Sequence, residues 1–392
     1  MKRVAVVGAG PVGLVAAAQA RMRGLEVTVL ERGRVGAAVR RWGRTRFFTP
    51  FEMNLPPDVR DLLGGRAPVP GALLSGAEMV EDVLEPLAAH PLLDGRIREA
   101  HRVVAIGRAG LTRGDLARHP LRAERPFRIV VETPQGEGQL EADAVFDASG
   151  VGAPAHFGPG GLPAKGEREH GAAVLRHLGD LEEALPRLAG RRVLLVGHGH
   201  SAATAILRLA ETAALDRDTR VTWAVRAANC RPCAEVASDP LPERQRTAAA
   251  ANDLASSPPA WLRVERRTAV EEIARDGDAF AVALAGGAAV RADAVAAFTG
   301  YRPDASYLTE LAIETGAATE GAARLERALA KVTDCLTVPA VAPEDLETGE
   351  SGFFFAGARS YGRSRAFLLR TGFAHLETML DRISRPAEAI RP

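Results

Sequence analysis

Cysteine is scarce: Cys230, Cys233 and Cys335 are the three thiols in a chain of 392 residues. So few cannot build a disulfide framework and fit a reducing compartment, which makes a cytoplasmic location the expectation. Aromatic residues make up only 5% of the chain, which points to a core of small aliphatic side chains. Net charge is nearly absent as well, with 50 Lys and Arg against 49 Asp and Glu for a formal balance of +1. Nothing in that balance asks for nucleic acid or an anionic membrane as partner. No apolar run is long and unbroken enough to span a bilayer. Arginines do cluster at Arg32, Arg34, Arg40, Arg41, Arg44 and Arg46, but no aromatic-studded groove follows, so a loop facing solvent or phosphate is expected there.

What is present is the balance of a globular protein, 46% hydrophobic and 25% charged, on a chain long enough for two or three domains. The N-terminus admits two readings. Met1-Lys2-Arg3, an apolar run and Ala18-Gln19-Ala20 imitate a secretory signal with its cleavage site. The same residues also read as a strand (Val4–Val7), a glycine turn and a helix opening near Pro11, which Gly24 stops before the strand Glu26–Leu30. Cleavage after Ala20 would delete Gly8, Gly10 and Gly13, whose spacing belongs to the second reading, and that reading is preferred.

Gly8-Ala-Gly10-Pro11-Val-Gly13 fills G-x-G-x-x-G between a strand and a helix. The first glycine permits the tight turn, and the second lets the backbone approach a pyrophosphate. The third lets helix and strand pack closely, while the helix N-terminus offers free N–H groups to the anion. The hexapeptide alone is weak; Glu31 at the end of the next strand, near the expected spacing of about 20 residues, strengthens it, because an acid there accepts hydrogen bonds from ribose hydroxyls. Gly197-His-Gly199-His-Ser201-Ala202 repeats the design after the strand Arg192–Val196, with Ala202 where the third glycine would stand. The strand that follows ends in Arg226, and a cation there favours the 2′-phosphate of NADPH over the bare ribose of NADH. His198 and His200 read as turn residues, and no metal site is expected.

Further along, a helix is expected over 75–89 and strands over 102–106, 127–132 and 144–147. A Gly/Pro-rich linker is expected from Gly150 to Gly166, and a loop or lid with a short helix between Asn229 and Arg263. Gly352–Gly357 reads as a buried parallel strand and Ala366–Ile383 as the closing helix. The fold class expected is α/β, two Rossmann-like βαβ dinucleotide-binding domains with one inserted in the other.

Five elements spread over nearly the whole chain resemble the two-dinucleotide-binding-domain flavoproteins, especially the flavin-containing and N-hydroxylating monooxygenases. They are the first turn with Glu31, Asp147-Ala-Ser149-Gly150, the second turn, Thr299-Gly-Tyr-Arg-Pro-Asp304, and Phe354-Phe-Ala-Gly357 before the last helix. The resemblance implies an FAD domain over 1–155, an NAD(P)H domain over 156–295 and a second FAD segment over 296–392. It implies FAD and NADPH as cofactors, chain crossings at Asp147–Gly150 and Thr299–Asp304, and a flavin ribityl turn at Gly357–Tyr361. It also places Arg32 and Trp42 in a segment running past the flavin, where core packing of Trp42 is an equal alternative, and Tyr361 near the flavin or in a structural role. Two departures stand out: Ala358 replaces the acid usual after the ribityl glycine, and the fingerprint F-x-G-x-x-x-H keeps Gly166 and His170 but has Ala164 for its aromatic.

The flavin carries the chemistry in such enzymes, so no catalytic residue is assigned. Cys230-Arg-Pro-Cys233 suggests dithiol exchange, but it follows Arg226 and should lie at the adenosine end of NADPH, so incidental thiols are expected. The leading functional expectation is an NADPH-dependent flavin monooxygenase acting on an N, S or C centre of a small molecule. The alternatives are a reductase acting on a disulfide, quinone or partner protein, and a flavin-bound regulatory protein with little turnover. A homodimer is an allowed assembly.

Overall fold

The computed structural model describes residues 1–384, so positions 385–392 of the expected last segment lie outside the described residues. The chain divides into two compact units. The first holds Met1–Arg40, Thr49–Ala153 and the chain from Arg302 onward; the second holds Arg41–Phe48 and Pro154–Tyr301.

The first unit is built on a five-stranded parallel sheet in the order Phe353–Phe355, Ala144–Asp147, Arg3–Val7, Glu26–Leu30, Ile97–Arg98. A central parallel strand is covered on both faces and therefore reads as an unbroken apolar run. Arg3–Val7 is that strand, buried from Val4 to Val7, so the start of the signal-like segment forms the middle of the sheet and its Ala18–Ala20 lies in the helix that follows. The helix Pro11–Met22 is buried continuously from Val12 to Ala20, which its run of alanines permits, and the closing helix Leu369–Ser384 packs against it. The helix expected over 75–89 runs from Gly76 to Ala88, wound wider in its middle. Ser75 and Glu78 form a capping box at its start.

A three-stranded antiparallel sheet completes this unit: Arg102–Arg108, Phe127–Thr133 and Gly136–Ala142. The third strand had no signal in the sequence, because its polar residues face solvent and only its pairing with Phe127–Thr133 holds it extended. Beside it Glu350 is buried between two arginines, accepting from Arg108 Nε at 2.8 Å and Arg122 Nε at 3.0 Å, with the Ala312 N–H at 3.0 Å. The cluster ties the antiparallel sheet to the last third of the chain.

The second unit has a four-stranded parallel sheet in the order Leu262–Glu265, Arg220–Ala224, Arg192–Val196, Ala294–Ala297. The helices Leu178–Leu188, His200–Leu215 and Pro242–Ser256 cover it, and its core is dominated by Ala, Leu and Val around the buried Trp223. Three antiparallel strands, Val270–Asp276, Ala279–Leu284 and Ala289–Ala292, lead into its last parallel strand. Two expectations differ here. The stretch 229–263 contains a 15-residue helix rather than a short one, opened by Pro242 and carried by its alanine run. The boundary expected at 295/296 would cut the strand Ala294–Ala297, which is hydrogen-bonded along Arg192–Val196; the chain returns to the first unit only after Tyr301.

Replacing Glu350 with Ala should cost about 3–5 kcal/mol of stability, because it strands two buried guanidinium groups. Urea unfolding followed by circular dichroism measures this, and a loss below about 1 kcal/mol, the range of an exposed pair, would contradict the assigned role.

Candidate functional site

The first glycine turn is shaped by steric limits at each glycine. Gly8 has φ +99°, and a Cβ there would stand 2.8 Å from the Ala148 carbonyl oxygen. A Cβ at Gly13 would stand 1.9 Å from the Gly8 carbonyl oxygen, which is the helix–strand contact in atomic terms. Gly10 is different: a Cβ there would meet nothing within 4 Å. It is the N-cap of Pro11–Met22 and no side chain caps that helix end. An open glycine before uncapped helical N–H groups is what a pyrophosphate needs. Glu31 is buried beside it, one carboxylate oxygen accepting from the Ala9 N–H and the other from the Gly33 N–H, both at 2.8 Å. These two bonds fix the acid at the mouth of the turn with lone pairs to spare for hydroxyl donors. Arg32 is exposed and reaches toward Gly152, where a Cβ would lie 3.4 Å from its guanidinium.

Beneath the turn lies a fully buried ionic network. Asp147 ends its strand and accepts from Arg359 Nε at 3.1 Å, from the Tyr307 hydroxyl at 3.0 Å and from the Ser149 N–H at 3.1 Å. Ser149 Oγ in turn lies 2.8 Å from the Tyr307 hydroxyl. Burial, reinforced by the Asp147 carboxylate, pushes the Tyr307 hydroxyl far above the usual phenol range, so it stays protonated as a donor. Gly150 follows with φ +74° and open space where a Cβ would be. Arg359 also donates to the Glu320 carbonyl at 3.0 Å and lies 4.0 Å over the Phe355 ring. Its Nη2, although buried, has no partner among the described residues.

The ribityl-like turn begins at Gly357, whose φ of +62° and close approach to Val12 (2.7 Å for an added Cβ) admit no larger residue. Tyr361 is buried with its ring parallel to His375, centroids 5.9 Å apart. The Tyr361 hydroxyl and His375 Nδ1 are both buried without a hydrogen-bond partner among the described residues. Burial lowers the His375 pKa to about 4, which leaves the ring neutral near pH 7. Buried polar atoms left unpaired cost free energy, so the three on Arg359, Tyr361 and His375 are atoms that a polar ligand or water would complete. The open Gly10, the fixed acid and these unpaired groups together fit a bound dinucleotide such as FAD.

The second turn repeats the first. Gly197 has φ +118°, and a Cβ there would meet the Phe298 carbonyl oxygen at 2.3 Å. Ala202, fully buried, fills the third small position, while Gly199 is open and caps His200–Leu215 without a side-chain partner. Ser201, next to it, is partly exposed. Trp223 Nε1 donates to the Gly197 carbonyl at 2.7 Å, a brace that sequence did not single out. Arg226 is exposed past the end of its strand and forms no ion pair among the described residues. Trp42 belongs to the second unit, lies 4.7 Å from Phe47 between ring centroids with the planes tilted by 31°, and is 41% exposed, which contradicts the core-packing alternative. The fingerprint residue Gly166 has φ +81° with Ile273 pressed against it, and Glu167 beside it accepts from Arg176, His156 and Ala164; this cluster stiffens the second unit.

The thiols are dissimilar. Cys230 is exposed, whereas Cys233 is buried and burial raises its pKa to about 11. Asn252 holds both the N–H and the carbonyl of Cys233, at 2.8 and 2.9 Å. A reactive thiol needs a lowered pKa and access, and Cys233 has neither.

A family profile described as pyridine nucleotide-disulphide oxidoreductase matches residues 5–62, the first turn and its surroundings. No curated protein matches the chain. Among solved structures, a bacillithiol disulfide reductase from Bacillus cereus is 19% identical with TM-score 0.68, covering 98% of both chains. The thioredoxin reductase of T. acidophilum is 18% identical with TM-score 0.60, covering 98% of this chain and 100% of its own. An ornithine N-hydroxylase from Kutzneria sp. 744 is 17% identical with TM-score 0.62, again over 98% and 100%. At these identities the likeness is one of fold: the chain has the two-dinucleotide-binding-domain architecture of FAD- and NAD(P)-dependent flavoproteins.

Gly13→Ala should prevent flavin retention, because even one methyl collides with the Gly8 carbonyl and opens the turn. Flavin absorbance of the purified variant, with circular dichroism to verify folding, provides the check. A folded Gly13→Ala protein carrying stoichiometric flavin would refute the assignment of this turn.

Proposed function

We propose that this protein is an oxidoreductase that binds FAD on its first unit and NADPH on its second, and that it delivers electrons to a small-molecule acceptor without a protein dithiol. The observation that carries the reading is the repeated glycine turn, each copy with an open second glycine before an uncapped helix, the first paired with a fixed acid and the second with an exposed cation that forms no ion pair among the described residues. Bound FAD would supply the two-electron chemistry between NADPH and the acceptor. The chain's own part is binding and polarisation. Gly8, Gly10 and the N-terminus of Pro11–Met22 would hold one pyrophosphate, and Glu31 would accept from the ribose. Ser149, Gly150, Gly357 and Tyr361 would line the rest of that cofactor. Gly197, Gly199 and Ser201 would hold the second pyrophosphate, with Arg226 on the 2′-phosphate. Neutral His375 offers a hydrogen bond at Nδ1 without placing a charge beside the ring system.

For the acceptor we propose molecular oxygen, with oxygenation of an N, S or C centre on a small substrate. The thiols support this: Cys335 is buried in the first unit, and of the pair in the second unit Cys233 is buried with its pKa raised. The length-matched likeness to bacillithiol disulfide reductases favours a second reading, in which a small-molecule disulfide is the acceptor.

The Cys230→Ser, Cys233→Ser double variant should consume NADPH and oxygen at the wild-type rate, and consumption should cease under argon. Parallel oxygen-electrode and NADPH-absorbance traces read both. Sustained turnover under argon on a low-molecular-weight disulfide, unaffected by the double variant, would replace oxygen with the second reading. Loss of turnover in the double variant would overturn the dithiol-free mechanism altogether.

A further inference from the structure

The parallel strands Arg220–Ala224 and Leu262–Glu265 lie side by side, in register from Val221 with Leu262 to Ala224 with Glu265. Their C-terminal ends therefore emerge together, and the pairing continues past them: the Val225 N–H donates to the Glu265 carbonyl at 2.8 Å. Beyond that, the Arg267 N–H donates to the Ala227 carbonyl and the Thr268 N–H to the Val225 carbonyl, both at 3.2 Å. Arg267 is thus stitched by its backbone to the residue that follows Arg226.

The arginines around these strand ends fall into two groups. Arg263 pairs with Glu265, and Arg231 with Glu235 and Asp253. Arg266 donates to the carbonyls of Ala255 and Asn229. Arg226 and Arg267 alone in this group are exposed with no side-chain partner among the described residues. Arg267 also has φ +53°, a left-handed conformation that a β-carbon disfavours and where glycine would be at ease. Two neighbours are neutralised and a third is tied down by carbonyls, then, while two cations from adjacent strands are left without any side-chain partner among the described residues, and one stands on a backbone position that does not suit it.

We propose that Arg267 is the second arm of a ribose 2′-phosphate site, closing with Arg226 on the phosphate of NADPH from the neighbouring strand. This rests on the coenzyme reading of the second glycine turn. A dianionic phosphate monoester accepts several charge-assisted hydrogen bonds, and two guanidinium groups carried on separate strands bracket it better than one. Arg267 is a specificity residue: it distinguishes the phosphorylated ribose from the bare one and takes no part in hydride transfer.

The test uses the full-length protein and calorimetric titration with 2′,5′-ADP, which carries the distinguishing phosphate, and with 5′-AMP, which lacks it. Arg267→Gly removes the side chain while suiting the left-handed backbone, so the variant should melt no lower than wild type. It should bind 2′,5′-ADP about tenfold or more weakly and 5′-AMP unchanged. Arg267→Lys, which keeps a charge, should retain part of the preference. If Arg226→Ala loses 2′,5′-ADP affinity while Arg267→Gly equals wild type, the second arm is wrong and the coenzyme reading stands. If wild type binds 2′,5′-ADP no better than 5′-AMP, the phosphate site and the NADPH preference fall together.

Discussion

The carboxylate of Asp147 has no exposure to solvent, and its charge is held by the equally buried guanidinium of Arg359, with Tyr307 and the Ser149 N–H completing its shell. A lone charge so placed would be costly, and removing one partner of a buried pair typically costs about 3–5 kcal/mol. Asp147 stands 160 positions before Tyr307 and 212 before Arg359, with the second unit inserted between, so the interaction exists only once the first unit has closed on itself. It sets the end of the strand Ala144–Asp147, holds the Ala148–Ser149 peptide against Gly8, and fixes the turn that opens at Gly357. The dinucleotide cradle of the first unit is shaped by this one cluster.

The rest of the cradle follows from small residues. A core with few aromatic rings lets helix Pro11–Met22 lie close on its sheet through alanines, and the contact of Gly13 with the Gly8 carbonyl is the limit of that approach. The second unit uses the same device with Ala202 at the third position. The residue after Gly357 is the uncharged Ala358, and the next position is the buried Arg359. Charge at this turn therefore comes as a cation neutralised from Asp147, with one Nη left unpaired.

Both glycine turns, Glu31 and the parallel sheets were legible in the sequence, because each is a local pattern: glycines at fixed spacing between an apolar run and a helix. The strand Ala144–Asp147 and the helix from residue 75 were legible for the same reason. What escaped was decided by distant partners. Gly136–Ala142 is polar and becomes a strand only through its neighbour. Ala294–Ala297 belongs to the second unit because it pairs with Arg192–Val196, which no local pattern announces. Tyr307 and His375 carry no motif and join the candidate site through burial alone, although Arg359, a cation four residues after a run of buried phenylalanines, offered a signal. The pair Cys230 and Cys233 looked symmetrical in sequence, and packing against Asn252 made it unequal.

The central claim is that one chain carries both a flavin and a nicotinamide site that exchange electrons. Anaerobic titration of the purified, flavin-bearing protein with NADPH tests it most directly, following the flavin absorbance. The account predicts that a single equivalent of NADPH per flavin bleaches the oxidised spectrum completely. A protein that purifies without flavin and does not take it up, or a flavin that NADPH leaves oxidised, would contradict it.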